Sequence, residues 1–163
     1  MSDIAPRVGV VGMGYVGLPL AATLAEAGVP VIGLDAVQSK VDALNRGESY
    51  IEDVSNERFA PLVEKGLVRA TTSWDAMRNV ETVIICVPTP LDEHRGPDLS
   101  AVLGAGESMS QRVRAGQLVV LESTTYPGTP QERLAPILEQ GSGLRAGRDF
   151  FVGYSPERIG PGN

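Results

Sequence analysis

The apolar residues of this chain fall into two rhythms. Short apolar runs occur at 7–11, 30–35, 67–71, 82–87, 117–122 and 149–154. Most are rich in Val and Ile and lack polar alternation, the pattern of strands covered on both faces. Between them lie segments of helical character at 16–27, 37–46, 56–65, a short 74–79, 98–114 and 130–140. Within 98–114, Leu99, Val102, Leu103, Gly106, Met109 and Val113 share one helical face. Thr129-Pro130-Gln131-Glu132 predicts a capping box with proline in the first turn. Gly141 is expected to close that helix, and Pro136 to kink or shorten it.

Alternating strands and helices with short links predict a parallel sheet covered by helices on both faces. Six such strands fit a doubly wound, Rossmann-like α/β fold of order 3-2-1-4-5-6. No repeat or low-complexity linker interrupts the pattern, so residues 1–163 read as one domain. In such sheets ligands bind beyond the carboxyl ends of the strands. The residues that close each run are therefore where chemistry is expected.

The first run leads into Gly12-Met13-Gly14-Tyr15-Val16-Gly17, a G-x-G-x-x-G pattern at a strand-to-helix junction. Gly12 suits the tight turn, Gly14 lets a diphosphate approach the backbone, and Gly17 lets helix and strand pack closely. The helix start offers N–H groups and a positive dipole to that diphosphate. The second run ends on Asp35, about 20 residues further along. A carboxylate there accepts from both hydroxyls of an adenosine ribose and repels a 2′-phosphate, which favours NAD over NADP. Lys40 lies within reach of the same ribose and is the one reservation about that choice. Asp35 also reads as the cap of the following helix, and its two oxygens allow both roles.

The fourth run ends in Cys86-Val87-Pro88-Thr89-Pro90, a stiffened turn that places Thr89 across the switch point from the glycines. Cys86 reads as a packed core cysteine, since no basic neighbour in sequence lowers its pKa. His94, the only histidine, lies in a charged loop with Asp92, Glu93 and Arg95 and is read as solvated surface. The fifth run ends in Glu122-Ser123-Thr124-Thr125, whose hydroxyls suit the ribose, the carboxamide or an oxygen at the reacting carbon. The sixth opens into Ser155-Pro156-Glu157-Arg158.

Composition narrows the picture. The 14 basic and 20 acidic residues give a net charge of −6 with no basic stripe, which argues against nucleic acid. No apolar run approaches the roughly 20 residues of a membrane span, and the N-terminus lacks a leader-like segment. One cysteine allows no internal disulfide. A cytoplasmic protein without membrane partners is expected.

The segments GMGYVGLPLA, CVPTPL with PDLSAV, ESTTYPGT and SPERIGPGN, in this order, resemble the N-terminal domain of the UDP-glucose/GDP-mannose dehydrogenase family. Within it the chain is most similar to the UDP-N-acetylhexosamine 6-dehydrogenases. The resemblance implies an enzyme that oxidises a sugar C6 hydroxyl to the carboxylate with two NAD⁺, through an aldehyde held on a cysteine. It implies that Gly12, Gly14, Tyr15 and Val16 cradle the diphosphate and that Asp35 and Lys40 hold the adenosine ribose. Thr89, Ser123 and Thr124 would line the NAD cleft, with Thr124 also bonding an oxygen at the reacting carbon. Glu157 would activate the hydrolytic water, and Arg158 and Ile159 would lie against the UDP-sugar. The chain departs from the acetylhexosamine subgroup at Gly160, where an acid often precedes Pro-Gly-Asn. The family's catalytic cysteine, its lysine and its sugar-nucleotide domain are expected beyond this sequence, in a full-length homo-oligomer. This chain alone is then expected to bind NAD and oxidise nothing. A stand-alone NAD-sensing module and the cofactor domain of a hydroxy-acid dehydrogenase share the glycine pattern and remain alternatives.

Overall fold

The computed structural model describes residues 4–88, 90, 93–94, 98–123 and 129–156, with the backbone alone at 123, 129–131 and 156. The strands are β1 (Val8–Val11), β2 (Val31–Leu34), β3 (Val68–Thr71), β4 (Thr82–Ile85), β5 (Leu118–Ser123) and β6 (Phe151–Pro156). The helices are α1 (Gly17–Glu26), α2 (Gln38–Asn45), α3 (Asn56–Glu64), α4 (Ser100–Ser110) and α5 (Thr129–Ser142), and a 3₁₀ segment spans Trp74–Asn79. The strands form one parallel sheet of order β3-β2-β1-β4-β5-β6. This is the doubly wound order expected from the pattern.

The continuous apolar runs are explained by the two faces. In β1, Val10 packs into one cluster and Val11 into the other. The first cluster joins Val10 to Leu18, Ala21 and Ala22 of α1 and to Leu44 and Phe59 of α2 and α3. The second joins Val11, Val83 and Ile85 to Val102 and Met109 of α4 and Leu134 and Leu138 of α5. A strand between two helical layers has no polar face to show, so it cannot alternate. Cys86 is 9% exposed and belongs to the first cluster, as expected of a core cysteine.

Three helix ends differ from the pattern. The segment expected at 98–114 is helical only over Ser100–Ser110, because Asp98 turns its carboxylate onto the Ser100 N–H at 2.9 Å and holds the chain short of helix. In α5 the helix continues past Pro136 to Ser142, and Gly141 does not end it. The stop is Gly143, whose φ of 76° is the left-handed conformation that a helix terminus favours. Gly141 faces α4 instead, where a Cβ would overlap the Ser110 side chain. The side chains of the expected capping box at Thr129 and Pro130 lie outside the described residues.

At the far end of the sheet from the cleft described below, Gln117 is buried with both amide hydrogens and its side-chain carbonyl engaged. Its amide donates to the carbonyls of Met77 and Val80 at 2.8 and 2.9 Å, and its carbonyl accepts from the Arg114 N–H at 3.0 Å. One side chain thus ties the start of β5 to the 3₁₀ segment that feeds β4. Gln117→Leu would strip partners from three backbone groups. It is expected to lower the unfolding free energy by about 2–4 kcal/mol, read as a shifted urea midpoint at unchanged m-value.

Candidate functional site

A cleft of ≈ 610 Å³ opens at the carboxyl ends of the strands, where the order reverses between β1 and β4. The glycine turn, with Val11, forms one wall, and Leu34, Asp35 and Ala36 at the end of β2, with Lys40 of α2, form the rim. Cys86, Val87 and Pro88 follow β4 along the floor, and Ala101, Gly104, Ala105 and Ser108 of α4 close the opposite side with Glu122 of β5. Small residues on that face of α4 leave the cleft open.

The three glycines are held to three different requirements. Gly12 leaves β1 at φ 92°, with its N–H on the Leu34 carbonyl at 2.8 Å. At Gly17 a Cβ would overlap the Gly12 carbonyl oxygen, so only glycine lets α1 start this close to β1. Gly14 is different. A Cβ there would meet nothing within 4 Å, and its φ lies outside the left-handed region. The fold itself therefore makes no demand for glycine at 14, and the space it leaves belongs to the cleft. The N–H groups of Gly14, Tyr15 and Val16 take no protein acceptor among the described residues. They stand at the amino end of a ten-residue helix, α1. That is a set of donors and a dipole suited to a diphosphate.

Met13, between the first two glycines, is fixed at three points. Its buried side chain fills the space over Gly33 of β2, where a Cβ would come within 2.6 Å of the Met13 sulfur. Its N–H donates to Asp35 Oδ2 at 3.1 Å. Its carbonyl accepts from the Tyr50 hydroxyl at 2.6 Å. The other Asp35 oxygen, Oδ1, accepts from the Val37 N–H at 3.0 Å, at the start of α2. Asp35 therefore does act as a cap, and it braces the glycine turn as well. An ionised carboxylate has about four acceptor positions, so both oxygens keep capacity for a ribose.

Tyr50 is 37% exposed, and its ring lies under the Lys40 ammonium, 5.3 Å from nitrogen to centroid. Burial, and secondly the charge of Asp35, push its phenol up to about 12. Neither Met13 nor Tyr50 was legible as a site residue. Met13 fills the variable position of the glycine pattern, and Tyr50 lies in a polar loop far along the chain.

The model of the UDP-glucose/GDP-mannose dehydrogenase family, NAD binding domain, matches residues 6–163. The chain belongs to this family, as its NAD binding domain. It is 41% identical to the UDP-N-acetyl-D-glucosamine 6-dehydrogenase of Pseudomonas aeruginosa, over 100% of this chain and 37% of that protein. The crystal structure of a GDP-mannose dehydrogenase ternary complex from P. aeruginosa superposes with a TM-score of 0.89 at 32% identity, covering 94% of this chain and 36% of that one. The UDP-D-ManNAc dehydrogenase of Pyrococcus horikoshii gives 0.88 at 37% identity, covering 96% and 37%. The chain thus spans little more than a third of the relatives it matches.

Of the residues that the family resemblance marks, the structure brings Gly12, Gly14, Tyr15, Val16, Asp35 and Lys40 together around one end of the cleft. Tyr15 is 82% exposed, so its backbone and not its side chain forms the turn. Thr89, Thr124, Glu157, Arg158 and Ile159 lie outside the described residues, as does the side chain of Ser123. The strand ends that lead to two of them are in place, since Ser123 of β5 pairs with Pro156 of β6. His94 and Glu93 are exposed, as expected for a solvated loop. Among the described residues no three His, Cys, Asp or Glu could hold a metal ion, and no helix is long and apolar enough to cross a membrane.

Two outcomes follow from this geometry. Gly17→Ala is expected to cost about 3 kcal/mol of stability, because backbone must move to admit the methyl group. Gly14→Ala is expected to change stability by less than about 0.5 kcal/mol. Parallel urea melts of the two variants separate the requirement of the fold from that of the cleft. Tyr50 supplies a pH signature. Its phenol is raised from 10 to about 12 in the folded state, so the stability it contributes is complete below pH 10 and is lost as pH rises through about 12. In spectrophotometric titration a tyrosine transition near pH 12 is expected to vanish in Tyr50→Phe.

Proposed function

We propose that this chain is the cofactor half of an enzyme that oxidises the C6 hydroxyl of a UDP-sugar, a UDP-N-acetylhexosamine, to the carboxylate with two NAD⁺. The observation that carries the cofactor part is Gly14, a glycine that the fold does not require, facing a cleft where its own N–H and those of Tyr15 and Val16 take no protein acceptor among the described residues. The sugar part rests on the acetylhexosamine relatives and on the ESTTYPGT and SPERIGPGN segments.

In this reading the backbone of Gly12, Gly14, Tyr15 and Val16 cradles the diphosphate, and Asp35 with Lys40 holds the adenosine ribose. Thr89, Ser123 and Thr124 line the remainder of the cleft. The bound nicotinamide supplies a hydride acceptor. Thr124 bonds an oxygen at the reacting carbon and restrains its approach. Glu157 takes a proton from the water that releases the acid, as a carboxylate within hydrogen-bond reach can. Arg158 and Ile159 lie against the sugar. Cys86 is 9% exposed at the floor of the cleft, and in this reading it is not the cysteine that captures the aldehyde. No other cysteine is present, so nothing else in the chain can carry the aldehyde as a thiohemiacetal, and in this reading the chain by itself binds NAD⁺ without turning a UDP-sugar into the acid. The full-length enzyme is a cytoplasmic homo-oligomer, and the whole of residues 1–163 is its cofactor domain.

Calorimetric titration tests this directly. NAD⁺ is expected to bind about tenfold or more tightly than NADP⁺, a difference of ~1.4 kcal/mol or more. Asp35→Ala should weaken NAD⁺ and narrow that ratio, while Gly14→Ala should weaken both cofactors by about tenfold. Failure of the unaltered chain to bind either cofactor, or steady NADH production from a UDP-sugar by this chain alone, would overturn the reading.

A further inference from the structure

Tyr50 lies between α2 and α3, outside the glycine turn in sequence and outside the wall of the cleft. Two contacts nevertheless tie it to that wall. Its hydroxyl donates to the Met13 carbonyl at 2.6 Å, and its ring lies 5.3 Å from the Lys40 ammonium. The first contact governs more than Met13. A peptide unit is planar and trans, so its carbonyl and the following N–H point in opposite directions. Fixing the Met13 carbonyl on Tyr50 fixes the direction of the Gly14 N–H, which has no protein acceptor among the described residues.

The second contact acts on charge. Lysine carries its ammonium on a flexible four-carbon stem and takes its direction from whatever holds it. Lys40 makes no ion pair among the described residues, and the face of Tyr50 is what restrains it. Asp35 lies close enough to Tyr50 for its charge to act on the phenol. A cation held on the ring is kept over Tyr50. A cation released from the ring could swing out to neutralise a 2′-phosphate and offset the repulsion from Asp35.

We propose that Tyr50 is a positioning residue of the cofactor site, its hydroxyl orienting the Met13–Gly14 peptide for a diphosphate and its ring holding Lys40 short of the ribose 2′ position. This rests on the dinucleotide reading above. It makes discrimination between NAD⁺ and NADP⁺ a joint property of Asp35, Lys40 and Tyr50.

The test titrates the chain, Tyr50→Phe and Tyr50→Leu with NAD⁺ and with NADP⁺, alongside thermal melts. Tyr50→Phe keeps the ring and loses the hydroxyl. It should weaken both cofactors equally, by about threefold to tenfold, and leave their ratio unchanged. Tyr50→Leu should show the same loss and, in addition, raise NADP⁺ relative to NAD⁺ by about twofold to fivefold. Adding Lys40→Met to Tyr50→Leu should abolish that rise, because no ammonium is then left to swing out. A lower melting temperature with unchanged affinities in Tyr50→Phe would reduce Tyr50 to a structural role and overturn the proposal. So would a ratio in Tyr50→Leu equal to that in Tyr50→Phe, or a rise in NADP⁺ that persists when Lys40→Met is added to Tyr50→Leu. An unaltered chain that binds neither cofactor would instead overturn the dinucleotide reading itself, so the two failures are distinguishable.

Discussion

The carbonyl oxygen of Gly12 occupies the place where a β-carbon on residue 17 would have to be. That backbone-to-backbone contact fixes how closely α1 can start to the end of β1. The direction of the helix follows from it, and so does the position of the three N–H groups at its start. A larger residue at 17 would push the helix away and carry the amides with it. The apolar layer of Leu18, Ala21, Ala22 and Ala25 then holds the helix down along its length. Packing energy from one face of the sheet is thereby converted into orientation at the sheet's edge.

Electrostatics make that orientation necessary. A dinucleotide diphosphate is an anion, and the chain carries a net charge of −6. The net charge of this chain offers that anion no long-range attraction. Binding must come from donors at short range, where a helix start and aligned N–H groups act over the first turn. Asp35 adds a negative charge at the rim, and Lys40 is the only cationic side chain among the described residues that line the cleft. The position of Lys40 therefore matters more here than it would on a basic surface.

The fold was legible because each strand repeats one simple constraint. Residues such as Val10 and Val11, or Val83 and Ile84, face opposite helical layers, and an unbroken apolar run is what that geometry requires. Helix ends were less legible. Gly141 carried the signal of a stop, yet its lack of a side chain serves the approach of Ser110 from α4, a neighbour distant in sequence. Asp98 and Ser100 used a local hydrogen bond to displace the first turn that the apolar spacing of α4 predicted. The same division runs through the site. Gly12, Gly17 and Asp35 were readable because their roles depend on residues a few positions away or on a known spacing. Met13 and Tyr50 were not, because a hydrogen bond between residues 13 and 50 leaves no trace in either local pattern.

The three glycines of one motif show why a motif alone proves little and a structure adds much. Gly12 answers to a backbone dihedral and Gly17 to a steric contact, so both would be retained by any protein that used this turn merely to join a strand to a helix. Gly14 answers to neither. A β-carbon there would enter open space, and the nearby N–H groups of Tyr15 and Val16 have nothing in the protein to donate to among the described residues. Polar backbone groups are ordinarily satisfied, and a helix start that leaves donors facing a cleft is satisfied by water or by a ligand. A purely structural turn explains two of the glycines; a bound diphosphate explains the third as well, and it does so with the same amides that the close contact at Gly17 has set in place.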